Sequence, residues 1–264
     1  MTWLEWVQLF LRWFHVAAAI TWIGQTYLFN WMERHMRGDE LWMVHGGGFW
    51  RLEKLMVPEK MPASLLWFKW EAGLTWISGM LLLLVHFYMD EGSMVDPTST
   101  LAHGKAVAIG LGAIAAGVLA YNALMMWTPL GRNELVAAAI GIALVMGAAY
   151  ALRLALSSRA AFIHVGALLG TIMVASVWLR IIPTQKALIA ARNAGSEPDL
   201  ARAERAKRSS KHNSYLSVPV ILLMLNWHIP GVVGHKYAWA ILGGLTLVGF
   251  AAQRVFRGGA QEPR

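Results

Sequence analysis

"FLRWFHVAAAITWIGQTYLF" (residues 10–29) decides the fold of this chain. It is long and apolar enough to cross lipid as a helix, because ~20 apolar residues span the hydrocarbon. Yet it carries Arg12 and His15. Placed at ~100° per residue on a helix, Gln8, Arg12, His15, Ala19, Trp22, Thr26 and Asn30 share one side. Ionisable groups inside a membrane face a bundle interior, a cavity or a partner, because lipid leaves them unsolvated. The stripe therefore predicts that this helix belongs to a bundle, with Arg12 and His15 turned inward.

The rest of the chain supports that reading. Of its 264 residues 57% are hydrophobic and 14% charged, with a mean hydropathy of +0.46, too apolar for a soluble domain of this length. Seven stretches are long enough to cross a bilayer: about 5–29, 67–89, 103–125, 133–153, 160–181, 214–230 and 237–257. The expectation is an all-α polytopic membrane helix bundle, a single membrane domain over residues 1–264. The first helix lacks a basic flank and is too long for a signal-peptide core, so it is expected to be retained. Lys and Arg concentrate in the connections after the first, third and fifth helices and in the C-terminal tail. This places the N-terminus outside and the C-terminus in the cytoplasm. The net charge of +8 is then accounted for by anionic lipid head groups, and nucleic acid is not an expected partner. Residues 182–212 form a basic cytoplasmic connection, in which "ARNAGSEPDLARAERAKRSSKH" (191–212) reads as a helical hairpin turning at Gly-Ser-Glu-Pro-Asp.

The chain contains no cysteine, which excludes disulfides, thiolate metal sites, iron–sulfur clusters and a covalently attached haem c. A redox centre would have to be held by His or Met. On the fifth predicted span, His164, Thr171, Ala175 and Trp178 share a face with small residues beside them. Two inward histidines on separate helices, His15 and His164, are the arrangement that holds a b-type haem through neutral imidazoles. The plain alternative is a pair of hydrogen-bonded core histidines. At ~1.5 Å rise per residue, His15 falls about 15 Å below the outer end of its helix and His164 about 6 Å, so His86, His103 and His228 stand as reserve ligands. Gly110, Gly112, Gly117 and the Gly166–Gly170 pair read as close helix packing.

A second cluster lies at the cytoplasmic side. "VHGGGFWRLEK" (44–54) is a glycine turn in the first inner loop, and "LLWFKWEAGLTWISG" (65–79) brings Lys69 and Glu71 to the start of the second span. "RIIPTQK" (180–186) and "KHNSYLSVPV" (211–220) flank the basic connection. Each has an ordinary structural reading as a turn, an aromatic belt, a basic helix end or a cap. Together, cations, histidines, Asn213 and the rings of Trp70 and Phe49 suit a flat anionic heteroaromatic ligand. Lys69, Glu71, His45 and His212 are the candidate catalytic residues; Lys69, Trp70, Phe49 and Asn213 are the candidate substrate contacts.

The segments "RWFHVAAAITWIG", "VHGGGF", "WFKWEAGLTWISG", "IHVGALLGTIM", "IIPTQK" and "HNSYLSVPV", in this order along the chain, resemble those of the membrane-bound bacterial urate oxidase family. The first helix also resembles the haem-binding first helix of bacterial membrane protoporphyrinogen oxidases, in which a similarly placed histidine binds haem b. The resemblance implies a multi-pass protein of the bacterial cytoplasmic membrane. It would convert urate to 5-hydroxyisourate and pass electrons through haem b to cytochrome c. Family members usually carry an eighth helix and a C-terminal cytochrome c domain. This cysteine-free sequence is expected to lack that domain and to use a separate c-type cytochrome. The alternative implied by the same scaffold is a non-catalytic haem b electron-transfer or assembly subunit. A transporter has no inverted-repeat or broken-helix pattern behind it.

Overall fold

The structure is a computed structural model that describes residues 2–55, 62, 64–197, 199–226 and 229–257. Its elements in chain order are α1 (Trp3–His35), β1 (Glu40–His45), β2 (Gly48–Glu53), α2 (Trp70–Leu83), α3 (Glu91–Met94), α4 (His103–Tyr121), α5 (Glu134–Arg153), α6 (Ser158–Ser176), α7 (Ile182–Asn193), α8 (Leu200–Asn226), α9 (Pro230–Val233) and α10 (Ala238–Arg257). Three helices end in a π turn: α2 at Leu84–Tyr88, α4 at Asn122–Met126 and α6 at Val177–Ile181. Such turns are rare and frequently mark functional sites.

Among the described residues six helices are long and apolar enough to cross a membrane: α1, α2 and α4 with their π turns, α5, α6 continued through α7, and α10. The sequence predicts seven. The remaining one, 214–230, is the second half of α8, a helix of 27 residues that begins inside the basic connection. Its polar first half keeps α8 out of the set of six, and residues 227–228 lie outside those described. The connection 182–212 is occupied by α7 and the start of α8, which reverse at Gly195 with φ +66.

The expectation of a purely helical chain needs one correction. Residues 40–53 form an antiparallel hairpin in which Val44 pairs with Phe49 and His45 with Gly48. The two turn residues, Gly46 and Gly47, have φ +63 and +79. Positive φ at both central positions is the tight turn that matches strand twist, and only glycine adopts it without steric cost. The flanking Trp, Val and Phe residues favour a pleated ribbon, and Arg51 bridges Glu40 and Glu53 at 2.9 and 2.7 Å.

The bundle is organised around α6, most of whose side chains are buried. Its stripe of Thr171 and Trp178 faces α2: the Trp76 indole donates to Thr171 Oγ1 at 3.0 Å, and Trp178 meets Trp70 edge to face at 5.5 Å. On α4, Gly110 and Gly117 sit against His164 and Leu168. A lipid-facing helix gains little by hiding apolar surface from lipid, so close approach at small residues supplies the packing energy. The polar stripe of α1 faces α2 and α8: His15 reaches Thr75, Arg12 reaches His86, and Asn30 and Tyr27 reach Ser214 and Ser217. One end of the bundle gathers Arg34, Lys69, Arg180, Arg208, Lys211 and Arg254 and is called the basic end below. At that end Glu134 pairs with both Lys211 and Arg254 and accepts from the Tyr215 hydroxyl, joining α5, α8 and α10.

Candidate functional site

The histidines away from the basic end fall into two groups. His15 donates through Nδ1 to the Thr75 carbonyl at 3.0 Å, with Ser78 Oγ 3.1 Å away. That bond fixes the tautomer and leaves Nε2 as the lone-pair nitrogen. Gly79 supplies the room, since a Cβ there would stand 2.9 Å from His15 Cε1. Beside it runs an apolar groove of about 310 Å³ lined by Phe10, Leu11, Phe14, Ile77, Ser78 and Leu81. A neutral imidazole anchored at Nδ1, free at Nε2 and next to an apolar groove fits a haem b ligand.

His164 is fully buried. Its Nδ1 donates to the Ala160 carbonyl at 2.7 Å and its Nε2 accepts from the Tyr88 hydroxyl at 3.0 Å. His103 donates through Nε2 to the Tyr88 carbonyl at 2.9 Å while its buried Nδ1 has no hydrogen-bond partner. His86 meets Arg12 at 3.4 Å, and His228 lies outside the described residues. The structure does not bring His15 and His164 together. His15 lies level with Thr75 to Gly79 on α2, whereas His164 meets Tyr88, and Thr171 is the α6 residue level with Trp76. From Thr171 to His164 is seven residues, roughly 10 Å at the helical rise. Among the described residues no group of three His, Asp or Glu side chains forms a metal site.

At the basic end the candidates divide between two sides of α6. Lys69 is the N-cap residue of α2 rather than a position one turn inside it. Its ammonium lies over three indoles, Trp67 at 5.8 Å, Trp70 at 5.5 Å and Trp178 at 5.8 Å. Each contact is worth on the order of 0.5–2 kcal/mol, so the three rings offset part of the cost of holding this cation among apolar helices. Glu71 accepts from Gln25 at 3.4 Å through Oε1, and its buried Oε2 has no hydrogen-bond partner. His45 and Phe49 are exposed on the hairpin, Phe49 at 80%, and join neither cluster.

The other side of α6 holds the predicted Asn213 together with Arg180, Arg208, Asn122, Ser176 and Ser209, which the sequence reading passed over. Arg180, on the π turn, donates from Nε to Ser209 Oγ at 3.1 Å, from Nη2 to Ser176 Oγ at 2.7 Å and from Nη1 to Asn122 Oδ1, and lies 5.7 Å from the Tyr121 ring centroid. Arg208 donates from Nη2 to the Met126 carbonyl at 3.1 Å, and its buried Nε has no hydrogen-bond partner among the described residues. Neither guanidinium has a carboxylate among the described residues, and the nearby Glu134 already serves Lys211 and Arg254. Asn213, 6% exposed, donates to the Met173 carbonyl at 3.0 Å, which leaves its buried Oδ1 unpartnered. The available signals were Asn122 and Arg180 inside otherwise apolar spans, and the one-turn spacing of Ser176 from Arg180 and of Ser209 from Asn213.

His212 borders this cluster. Its Nδ1 accepts from the Tyr121 hydroxyl at 3.1 Å and its Nε2 donates to the Gly131 carbonyl at 3.2 Å. Burial pushes its pKa from 6.5 down to about 4; the Gly131 bond opposes that shift, and Arg208, Lys211 and Arg180 add to it. His212 is therefore neutral at pH 7. Because the folded value lies below the unfolded one, its contribution to stability is complete above about pH 6.5 and is lost as pH falls toward 4. The melting temperature of the purified protein should drop over that window, and His212→Gln should flatten the drop. An identical pH profile in the variant would exclude His212 as its source.

Inward polar residues in a bundle with six candidate spans, histidines toward one end and uncompensated guanidinia at the other, define a polytopic membrane protein with polar sites between its helices. The family described as Urate oxidase N-terminal matches residues 1–262, and the chain belongs to it. That family is named for an oxidoreductase. No curated protein and no solved structure matches the chain.

Proposed function

We propose that the chain is the membrane unit of a urate oxidase that converts urate to 5-hydroxyisourate and delivers the electrons to a c-type cytochrome. The observation that carries this reading is the family match across residues 1–262. The reaction joins the oxygen of water to C5 of urate and releases two electrons and two protons, and one-electron acceptors must be reduced twice per turnover. His15, with Nδ1 held by Thr75 and Nε2 free, holds a b-type haem. When bound, that group supplies one-electron transfer between a two-electron donor and the acceptor protein. The chain's own part is to bind the substrate anion, exclude bulk water and take up protons. Glu71, whose buried Oε2 has no hydrogen-bond partner among the described residues, is the titratable group at the basic end suited to the last task.

In this reading the protein sits in the bacterial cytoplasmic membrane with its N-terminus outside and its basic end in the cytoplasm, where positive loops are retained. Lys69, already occupied by three indoles, orders the α2–α6 junction with Trp70. The test is a difference spectrum of the purified protein. Urate added anaerobically should produce the reduced haem b bands, with 5-hydroxyisourate appearing when a c-type cytochrome is supplied. A haem that dithionite reduces and urate does not would leave an electron-transfer subunit in place of an oxidase.

A further inference from the structure

We propose that Arg180 and Arg208, with Asn122, Ser176, Ser209 and Asn213, form the binding site for a planar heterocyclic monoanion between α4, α6 and α8. Under the oxidase reading, on which this assignment rests, that anion is urate.

Charge gives the first argument. A guanidinium stays protonated in a protein, and a half-buried one normally finds a carboxylate because desolvation is costly. Here two converge without one. Ser209 accepts from Arg180 and contacts Met126 Sδ at 3.4 Å, while Arg208 donates to the Met126 carbonyl, so both cations reach the same short stretch of the α4 π turn. Among the described residues the partners of Arg180 are neutral: two serine hydroxyls, an amide oxygen and a phenol ring. These groups orient the guanidinium without cancelling its charge.

Unmet hydrogen bonds give the second argument, and they select the ligand's chemistry. Arg180 uses three of its five N–H donors, and Arg208 Nε–H is buried and unpartnered. Asn213 presents an unpartnered buried acceptor, its orientation set by the bond from Nδ2 to Met173. Asn213 follows Ser209 by one turn of α8, so this acceptor lies along the same face as the guanidinium contacts. A buried group without a partner is costly, and a ligand with both anionic oxygens and N–H groups would recover that cost. A phospholipid phosphodiester offers only acceptors and leaves Asn213 unsatisfied. A purine-like anion offers both edges. Two π turns, at Asn122–Met126 and Val177–Ile181, aim Asn122 and Arg180 from neighbouring helices at this point.

The experiment measures urate binding by equilibrium dialysis on the whole detergent-solubilised protein, with Arg180→Lys, Arg208→Gln and Asn213→Leu compared against wild type. Arg51→Gln on the hairpin serves as the control. Each variant is first checked for an unchanged circular dichroism melt; should Arg180→Lys fail that check, Arg208→Gln carries the result. Wild type and Arg51→Gln should bind urate, and Arg208→Gln and Asn213→Leu should weaken it at least tenfold. Inorganic phosphate and phosphatidylglycerol vesicles should not displace it. Equal affinity in all variants overturns the site, as does absence of urate binding in wild type. Displacement by phosphate or phosphatidylglycerol overturns the heterocycle assignment in favour of a head-group site. Urate bound here with no electron reaching a haem leaves the site standing and overturns the oxidase reading. Urate-driven haem reduction with unchanged KM in Arg208→Gln does the reverse.

Discussion

His15→Ala should yield an inserted, helical protein without haem b absorbance, while His164→Ala should keep it. The two histidines differ in what their Nε2 atoms do: that of His15 makes no hydrogen bond among the described residues, and that of His164 accepts from Tyr88. They also differ in depth along α2, His15 beside Gly79 and His164 beside Tyr88, so one iron cannot draw on both. Removing the His15 ring takes away the proposed iron ligand and opens space next to Gly79. Removing the His164 ring leaves a buried cavity and an unpaired phenol, on the order of a few kcal/mol of stability, with the His15 groove untouched. The check is a dithionite-reduced difference spectrum per mole of protein. Loss of the bands in His164→Ala with retention in His15→Ala would move the iron to the Tyr88 side.

Gly131→Ala should be the most damaging single-methyl change at the basic end. A Cβ at Gly131 would stand 2.8 Å from the Met125 carbonyl carbon and 2.9 Å from its Cα, with the carbonyl oxygen closer still. Those atoms belong to the backbone of the α4 π turn and cannot rotate away as a side chain could. Overpacking of this kind costs roughly 1–3 kcal/mol or more. The Gly131 carbonyl is also the acceptor for His212, and Arg208 is bonded one residue along at Met126. The melting temperature should therefore fall by several degrees, and urate affinity with it. Gly112→Ala is the comparison: a Cβ there meets nothing within 4 Å, and in a helix alanine is favoured over glycine by about 0.5–1 kcal/mol. Equal melting of the two variants would show that the π turn yields to the methyl.

Much of the helical architecture was legible because lipid is a demanding solvent. Runs of ~20 apolar residues admit few structures other than a helix, and polar stripes within them must face inward. The seats of His164 and Leu168 at Gly110 and Gly117 follow from the same reasoning about small residues. The hairpin at 40–53 was not legible as strands. Its "HGGGF" core reads equally as a loose glycine turn, and only the pairing of Val44 with Phe49 distinguishes the two.

The sequence by itself determined the class, a bundle of apolar helices with histidines and cations held inward, and its segments pointed to the family before any contact was known. The tertiary structure decided which polar groups meet. Trp178 and Arg180 are two residues apart, about 200° on a helical wheel, and they face opposite sides of α6, one against Lys69 and one against Asn122 and Ser209. The wheel gives that opposition; it does not give which residues of the neighbouring helices stand there to meet them. Spacing likewise put Lys69 among the candidate substrate contacts, whereas its charge is met by three indoles, those of Trp67, Trp70 and Trp178. Partners from different helices are set by register and rotation between those helices, and that information resides in packing.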